Sequence, residues 1–222
     1  MTTREHLLHS LAGLILDVSR PHPVRVGIDG CSAAGKTTLA DELGTVLRGR
    51  TDRTVIRVQI DQFKRHVDLR TAYPFDSPQS YYLDSWDNDA IRDRLLVLLG
   101  RGGDRRYRDA VMDFSGHNPV DRPDEVAADD AILIADGAFL QRPELAPHWD
   151  LVVYIDVDFD VVLRRGIERD QAWMGSAAEA EARYRTKYIP GERMYVEQVR
   201  PAQRAHVVVD NRDPVSPSMR LT

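Results

Sequence analysis

Along the chain, short runs of β-branched apolar residues alternate with longer stretches in which apolar positions recur every three or four residues. The short runs read as strands and the periodic stretches as amphipathic helices. Strands are expected over residues 24–28, 54–60, 131–135, 151–155 and 206–209, and helices over 38–47, 87–99, 161–169, 177–188 and 192–199. This alternation produces a parallel sheet covered by helices on both faces, so the fold class is α/β with five parallel strands. Ahead of the first strand, Leu7, Leu8, Leu11, Leu14, Ile15 and Val18 share helical spacing, which places an amphipathic helix within residues 1–20, packed on the domain.

Two stretches break the alternation. Residues 63–86 carry Tyr73, Pro74, Phe75, Pro78, Tyr81, Tyr82 and Trp86, too aromatic and too proline-broken for the sheet core. They read as an insertion on the substrate side, as do residues 105–121. Residues 164–188 are expected to form a lid and residues 214–222 a frayed tail. The whole chain, 1–222, then forms a single domain.

Composition narrows the function classes. Charged residues make up 29% and hydrophobic residues 42% of the 222, ordinary globular usage, and a net charge of −5 gives no electrostatic footprint for nucleic acid. No stretch approaches the roughly 20 apolar residues of a membrane span, and Glu5, His6 and His9 interrupt any signal-peptide core. The lone Cys31 excludes an intrachain disulfide and fits a reducing, cytoplasmic compartment.

The chemistry is concentrated after the first strand. Gly30 to Thr37 read GCSAAGKT, a full match to GxxxxGK[ST], and a strand, a glycine-rich turn and a helix N-terminus together cradle nucleotide phosphates. The nucleotide would be held by Gly30, Cys31, Ser32, Ala33, Ala34, Gly35, Lys36, Thr37 and Thr38, with Lys36 as the cation and the Thr37 hydroxyl offered to Mg²⁺. Cys31, inside the loop, is either an oxidisable thiol or a residue chosen for its small size. Parallel sheets bind ligands beyond the carboxyl ends of their strands. Asp61 follows the second strand and Asp136 the third, so both carboxylates are expected to face the transferring phosphoryl group. Asp61 is favoured as the general base with metal contact and Asp136 as a metal ligand; for each, a capping or solvated turn carboxylate is the competing reading. For Asp156 and Asp210, also at strand ends, capping is the better reading.

The ordered segments IDGCSAAGKTTLADEL, VQIDQF, FDSP, MDFSGH, ILIADG and LRRGIERD resemble uridine kinases of the uridine kinase and phosphoribulokinase family over residues 24–213. The resemblance implies a P-loop kinase using ATP and Mg²⁺. It assigns Asp61 to deprotonation of the acceptor hydroxyl, Thr37 and Asp136 to Mg²⁺, Asp76 to ribose hydroxyls, Phe114 and His117 to the base, and Arg169, with Lys36, to the transferring phosphate. Arg165 is the candidate acceptor contact on the lid helix. The departures lie on the acceptor and lid side: Gly166 stands where a ribose-contacting arginine is usual, residues 171–175 lack arginine, Met112 replaces a tyrosine, and Asp136 is a methylene shorter than the usual glutamate. Arg183, Arg185 or Lys187 are candidates to replace the missing cations.

The expected activity is transfer of the ATP γ-phosphate to a primary hydroxyl of a nucleoside, uridine- or cytidine-like. The alternatives are a related kinase of another alcohol, such as pantothenate or a sugar phosphate, and a nucleotide-binding regulatory protein without catalysis. Few cations within residues 73–86 count against a sugar phosphate. A GTPase is not expected, because NKxD is absent and no DxxG follows a strand, Asp136 being followed directly by Gly137. The expected partner is a small molecule, with neither nucleic acid nor membrane; a homo-oligomer is compatible with the sequence but not legible in it.

Overall fold

A computed structural model describes residues 3–222; Met1 and Thr2, the start of the expected N-terminal helix, lie outside the described residues. In chain order the elements are α1 (Thr3–Leu16), β1 (Val24–Gly30), α2 (Lys36–Arg48), β2 (Val55–Gln59), α3 (Asn88–Ile91), β3 (Arg106–Tyr107), β4 (Glu125–Val126), β5 (Ile132–Gly137), β6 (Leu151–Asp156), α4 (Phe159–Met174), α5 (Ala177–Arg183), α6 (Ile189–Val199), α7 (Pro201–Arg204), β7 (Val207–Asp210) and β8 (Ser218–Leu221). Single wide turns of π type, Arg92–Leu96 and Tyr184–Tyr188, continue α3 and α5, so the expected helices over 87–99 and 177–188 are present with a local change of pitch.

The main sheet of the described residues has the order β2-β5-β1-β6-β7-β8, with all pairs parallel except β7 and β8. The expectation of five strands is corrected to six, and the frayed tail to a strand. A bare β7 would leave a row of unpaired backbone groups at the sheet edge, and Ser218–Leu221 pairs with it from Asp210↔Ser218 to Val207↔Leu221. Arg4 also ties this segment down through the Pro214 carbonyl, at 3.0 Å.

Strands β1 and β5 are buried along their whole length, as a sheet covered on both faces requires. On one face α1 and α2 contribute Leu11, Ile15, Leu43 and Leu47. On the other lie Phe63, Ile91, Leu95, Leu96 and a set of aromatic rings. Here the reading of residues 63–86 is corrected in part. The segment is no strand, but Tyr81, Tyr82 and Trp86 are buried and pack edge-on to Phe139 with ring centroids 5.0–5.3 Å apart. Ring edges meeting ring faces fill the space beneath the sheet that a helix would otherwise cover. Residues 105–121 start on β3 and enclose a turn closed by the Met112↔Pro119 bridge before the chain returns to pair β4 with β3. Among the described residues no helix is long and apolar enough to cross a membrane.

Candidate active site

The glycine-rich loop links β1 to α2 and is braced from three directions. Gly35 has φ +97°, and a Cβ there would lie 2.7 Å from the Asn211 amide nitrogen, so glycine is required twice over. That nitrogen donates to the Ala34 carbonyl at 2.7 Å. From α6, Glu192 accepts the Ser32 N–H at 2.6 Å, and the Ser32 and Tyr81 hydroxyls lie 2.9 Å apart. Lys36 turns its ammonium onto the Cys31 carbonyl at 2.8 Å. A cavity of about 460 Å³ opens over the loop, lined by Ala33, Gly35, Lys36, Thr37, Thr38, Arg165, Glu168 and Arg169. Three cations against one carboxylate, at a helix N-terminus, suit a polyphosphate.

The sheet register sets the carboxylates. Asp136 on β5 is level with Gln59 of β2 and Ile28 of β1, so β2 and β1 deliver Asp61 and the loop just beyond it, at the same edge. Asp136 is buried; its Oδ2 accepts the Thr37 hydroxyl at 2.6 Å and its Oδ1 pairs with Arg57 at 2.9 Å. Thr37 and Asp136 are hard oxygen donors placed together, and Mg²⁺ takes one or two carboxylates with water and phosphate oxygens completing its shell. Their chemistry fits that ion. Asp61 lies on the tight turn Ile60–Phe63, exposed, without a hydrogen bond or ion pair to any described residue. Its charge is felt by the Tyr81 hydroxyl, which lies 2.9 Å from the Ser32 hydroxyl of the loop.

The remaining expected residues separate into two groups. On α4, Arg169 pairs with Asp170 at 2.7 Å and faces the loop cavity. Arg165, expected to contact the acceptor, instead reaches the carbonyls of Asn211 and Arg212 at 3.0 Å and lines the nucleotide cavity. Its position one turn before Arg169 puts it on the same face of α4, toward the nucleotide. Gly166 has a packing reason: a Cβ there would run into the Tyr184 ring, whose hydroxyl donates to Asp170 at 2.7 Å. Away from the loop, Asp76 is exposed but approached by Arg183 at 3.4 Å and Lys187 at 3.5 Å. Phe114 and His117 sit exposed on a turn organised by Asp113, whose carboxylate accepts from the Asn118 amide, Ser115 hydroxyl and Gly116 N–H. Those bonds hold the Asp113 carboxyl well below the usual range.

A profile of the phosphoribulokinase/uridine kinase family matches residues 25–216. The chain belongs to that family. Relatives of this family member include the uridine kinase of Limosilactobacillus reuteri, 26% identical over 191 residues covering 84% of the chain and 83% of the relative. The uridine kinase of Brevibacillus brevis is 27% identical over 197 residues, 85% of each chain. Among solved structures, a possible uridine kinase from Bacillus stearothermophilus superposes with a TM-score of 0.70 at 24% identity, covering 92% of this chain and 97% of its own. D-glycerate 3-kinase from Cryptococcus neoformans superposes at 0.59 and 13%, covering 96% and 99%. These likenesses show the P-loop kinase fold.

In this family member several supporting residues escape a motif reading. Glu192 is fully buried with Oε2 unpartnered, and burial pushes its carboxyl above the usual range against the opposing pull of the Ser32 bond. Its signal was a carboxylate at helical spacing among the buried Ile189, Tyr195 and Val199. Asp29, beneath the loop, is also pushed up by burial while Tyr195 and Gln141 donate to it at 2.5 and 2.9 Å. Asn211 and Arg57 carried no motif at all. Cys31 is buried, and burial raises its thiol well above the usual value, which favours the reading of a small, inert loop residue.

Proposed function

We propose that the chain transfers the γ-phosphoryl group of ATP, with Mg²⁺, to a primary hydroxyl of a small-molecule acceptor. One observation carries this reading: an unpartnered, exposed Asp61 stands at the same sheet edge as the glycine-rich loop and the Thr37–Asp136 pair. Asp61 takes the hydroxyl proton as oxygen attacks phosphorus and the bond to the bridging β–γ oxygen breaks. Loop amides, Lys36 and Arg169 hold the phosphate oxygens, and α4 and α5 shield the reaction from water. Magnesium, held by Thr37 and Asp136, would neutralise phosphate charge.

A uridine- or cytidine-like nucleoside is the acceptor favoured by relatives named uridine kinase. Another alcohol, such as pantothenate, is favoured by the ion pairs that occupy Asp76, the carboxylate assigned to ribose hydroxyls. The test is acceptor-dependent ADP release over uridine, cytidine, pantothenate and simple sugars, with Lys36→Ala as control. Stimulation by at least one acceptor, lost in the control, supports a kinase; ATP binding without any stimulation supports a sensor instead.

A further inference from the structure

We infer that the acceptor is an alcohol bearing its own anionic group, a carboxylate or a phosphate, and that Arg70, Arg183 and Lys187 hold that group. The inference rests on the kinase reading and gives its second form a chemical class.

Lys187 follows α5 and is only 7% exposed. Its ammonium donates to the Phe75 carbonyl at 2.5 Å, lies 4.3 Å from the centre of the Phe75 ring, and is 3.5 Å from Asp76 Oδ1. Arg183 reaches the same carboxylate oxygen. Arg70 is half-buried; its Nε and Nη2 both donate to the Arg65 carbonyl, at 2.8 and 2.7 Å, and no carboxylate among the described residues pairs with it. Arg65 in turn is paired with the buried Asp84 at 3.0 Å. Four cations therefore meet two carboxylates. They form one electrostatic group: burial pushes the Lys187 ammonium down, Arg183 and Arg70 push it the same way, and Asp76 opposes them.

The group stands beside the reacting end of the cleft. The Arg183 charge acts on the hydroxyl of Tyr188, whose ring centre is 4.8 Å from that of Tyr81, the residue touching Ser32 of the loop and sensing Asp61. Arg70 abuts Gly116 in the turn that presents Phe114 and His117. A small acceptor with its hydroxyl at Asp61 thus has its far end among these cations. A neutral ligand would leave Arg70 and Arg65 sharing the single Asp84 carboxylate, and would have to displace Lys187 and Arg183 to reach Asp76. An anion is attracted by the surplus, accepts from the guanidinium forks, and releases Asp76 to bind hydroxyls. The cations come from residues 65–70 and 183–187, outside residues 73–86, whose poverty in cations had counted against a charged acceptor.

Matched probes test this with the full chain: glycerate against glycerol, pantothenate against pantothenol, and ribose 5-phosphate against ribose, each followed by calorimetric binding and by ADP release, with uridine alongside. Charge-assisted bonds predict that the anionic member of at least one pair binds about 10- to 100-fold more tightly. The carboxylate and phosphate pairs tell which anion is meant. Arg70→Met and Lys187→Met should each erase the preference, Arg70→Lys should restore part of it, and thermal unfolding checks that the variants fold. No anionic preference in any pair, uridine as the preferred acceptor, or a preference untouched in a folded Arg70→Met would overturn the inference. Anion-preferring binding without ADP release from any probe overturns instead the kinase reading, and with it the acceptor role of the bound anion.

Discussion

At the scale of single residues, the nucleotide half of the site was legible because its chemistry depends on fixed offsets along one strand, turn and helix. Lys36 and Thr37 follow from the motif, and Asp61 and Asp136 from the ends of two runs that the sheet register then aligns. Glu192, Asn211 and Arg57 were not legible, since each acts across more than 75 positions of sequence and only the fold brings it to its partner. Asp61→Asn should keep ATP binding and lower turnover about 100-fold or more, the range for a general base; steady-state kinetics with unchanged turnover would remove Asp61 from that role. Glu192 gives a pH signature. Its carboxyl is raised on folding, so its contribution is complete below the unfolded carboxyl range and is lost as pH rises through the folded value. Glu192→Gln keeps an acceptor for Ser32 but cannot ionise, so its Tm relative to the parent chain should climb as pH rises above the ordinary carboxyl range. A flat difference would contradict the buried, proton-retaining carboxyl.

At the scale of elements, the five parallel strands and most helices were readable from periodicity, with boundaries moving by a few residues. What periodicity could not supply was the last strand. Ser218–Leu221 is four residues long, carries no β-branched or aromatic residue and follows a turn with two prolines; its structure comes from the open edge of β7, a tertiary demand. Deleting residues 214–222 should lower the Tm and promote aggregation in light scattering, because β7 would again present unpaired backbone. A truncated chain that melts and scatters like the parent would show that β8 adds nothing. The buried aromatics after Pro78 were misjudged for a related reason. Rings that pack edge to face need no strand or helix period, so Tyr81, Tyr82 and Trp86 looked like an insertion while serving as core.

At the scale of the whole molecule, the loop near the start of the chain is completed by elements near its end. Asn211, beyond β7, and Glu192, on α6, hold the carbonyl of Ala34 and the amide of Ser32. Asn211→Ala should weaken ATP affinity about tenfold, the cost of one well-buried hydrogen bond, with only a small change in Tm; calorimetry showing full affinity would assign the loop's shape to its own glycines alone. The proposed acceptor side is assembled in the same way, with Asp76 facing Arg183 at the end of α5 and Lys187 in the turn after it. That distance explains why this half of the site was the least readable.

The Asn211 bond also bears on how the polypeptide matures. A nascent chain halted before Ile189 already contains every residue of the phosphate motif, yet two of the struts beneath it have not been synthesised. Retention on immobilised ATP would then register whether translation has run to its final strands, and stalled fragments should wash through such a resin while finished molecules stay.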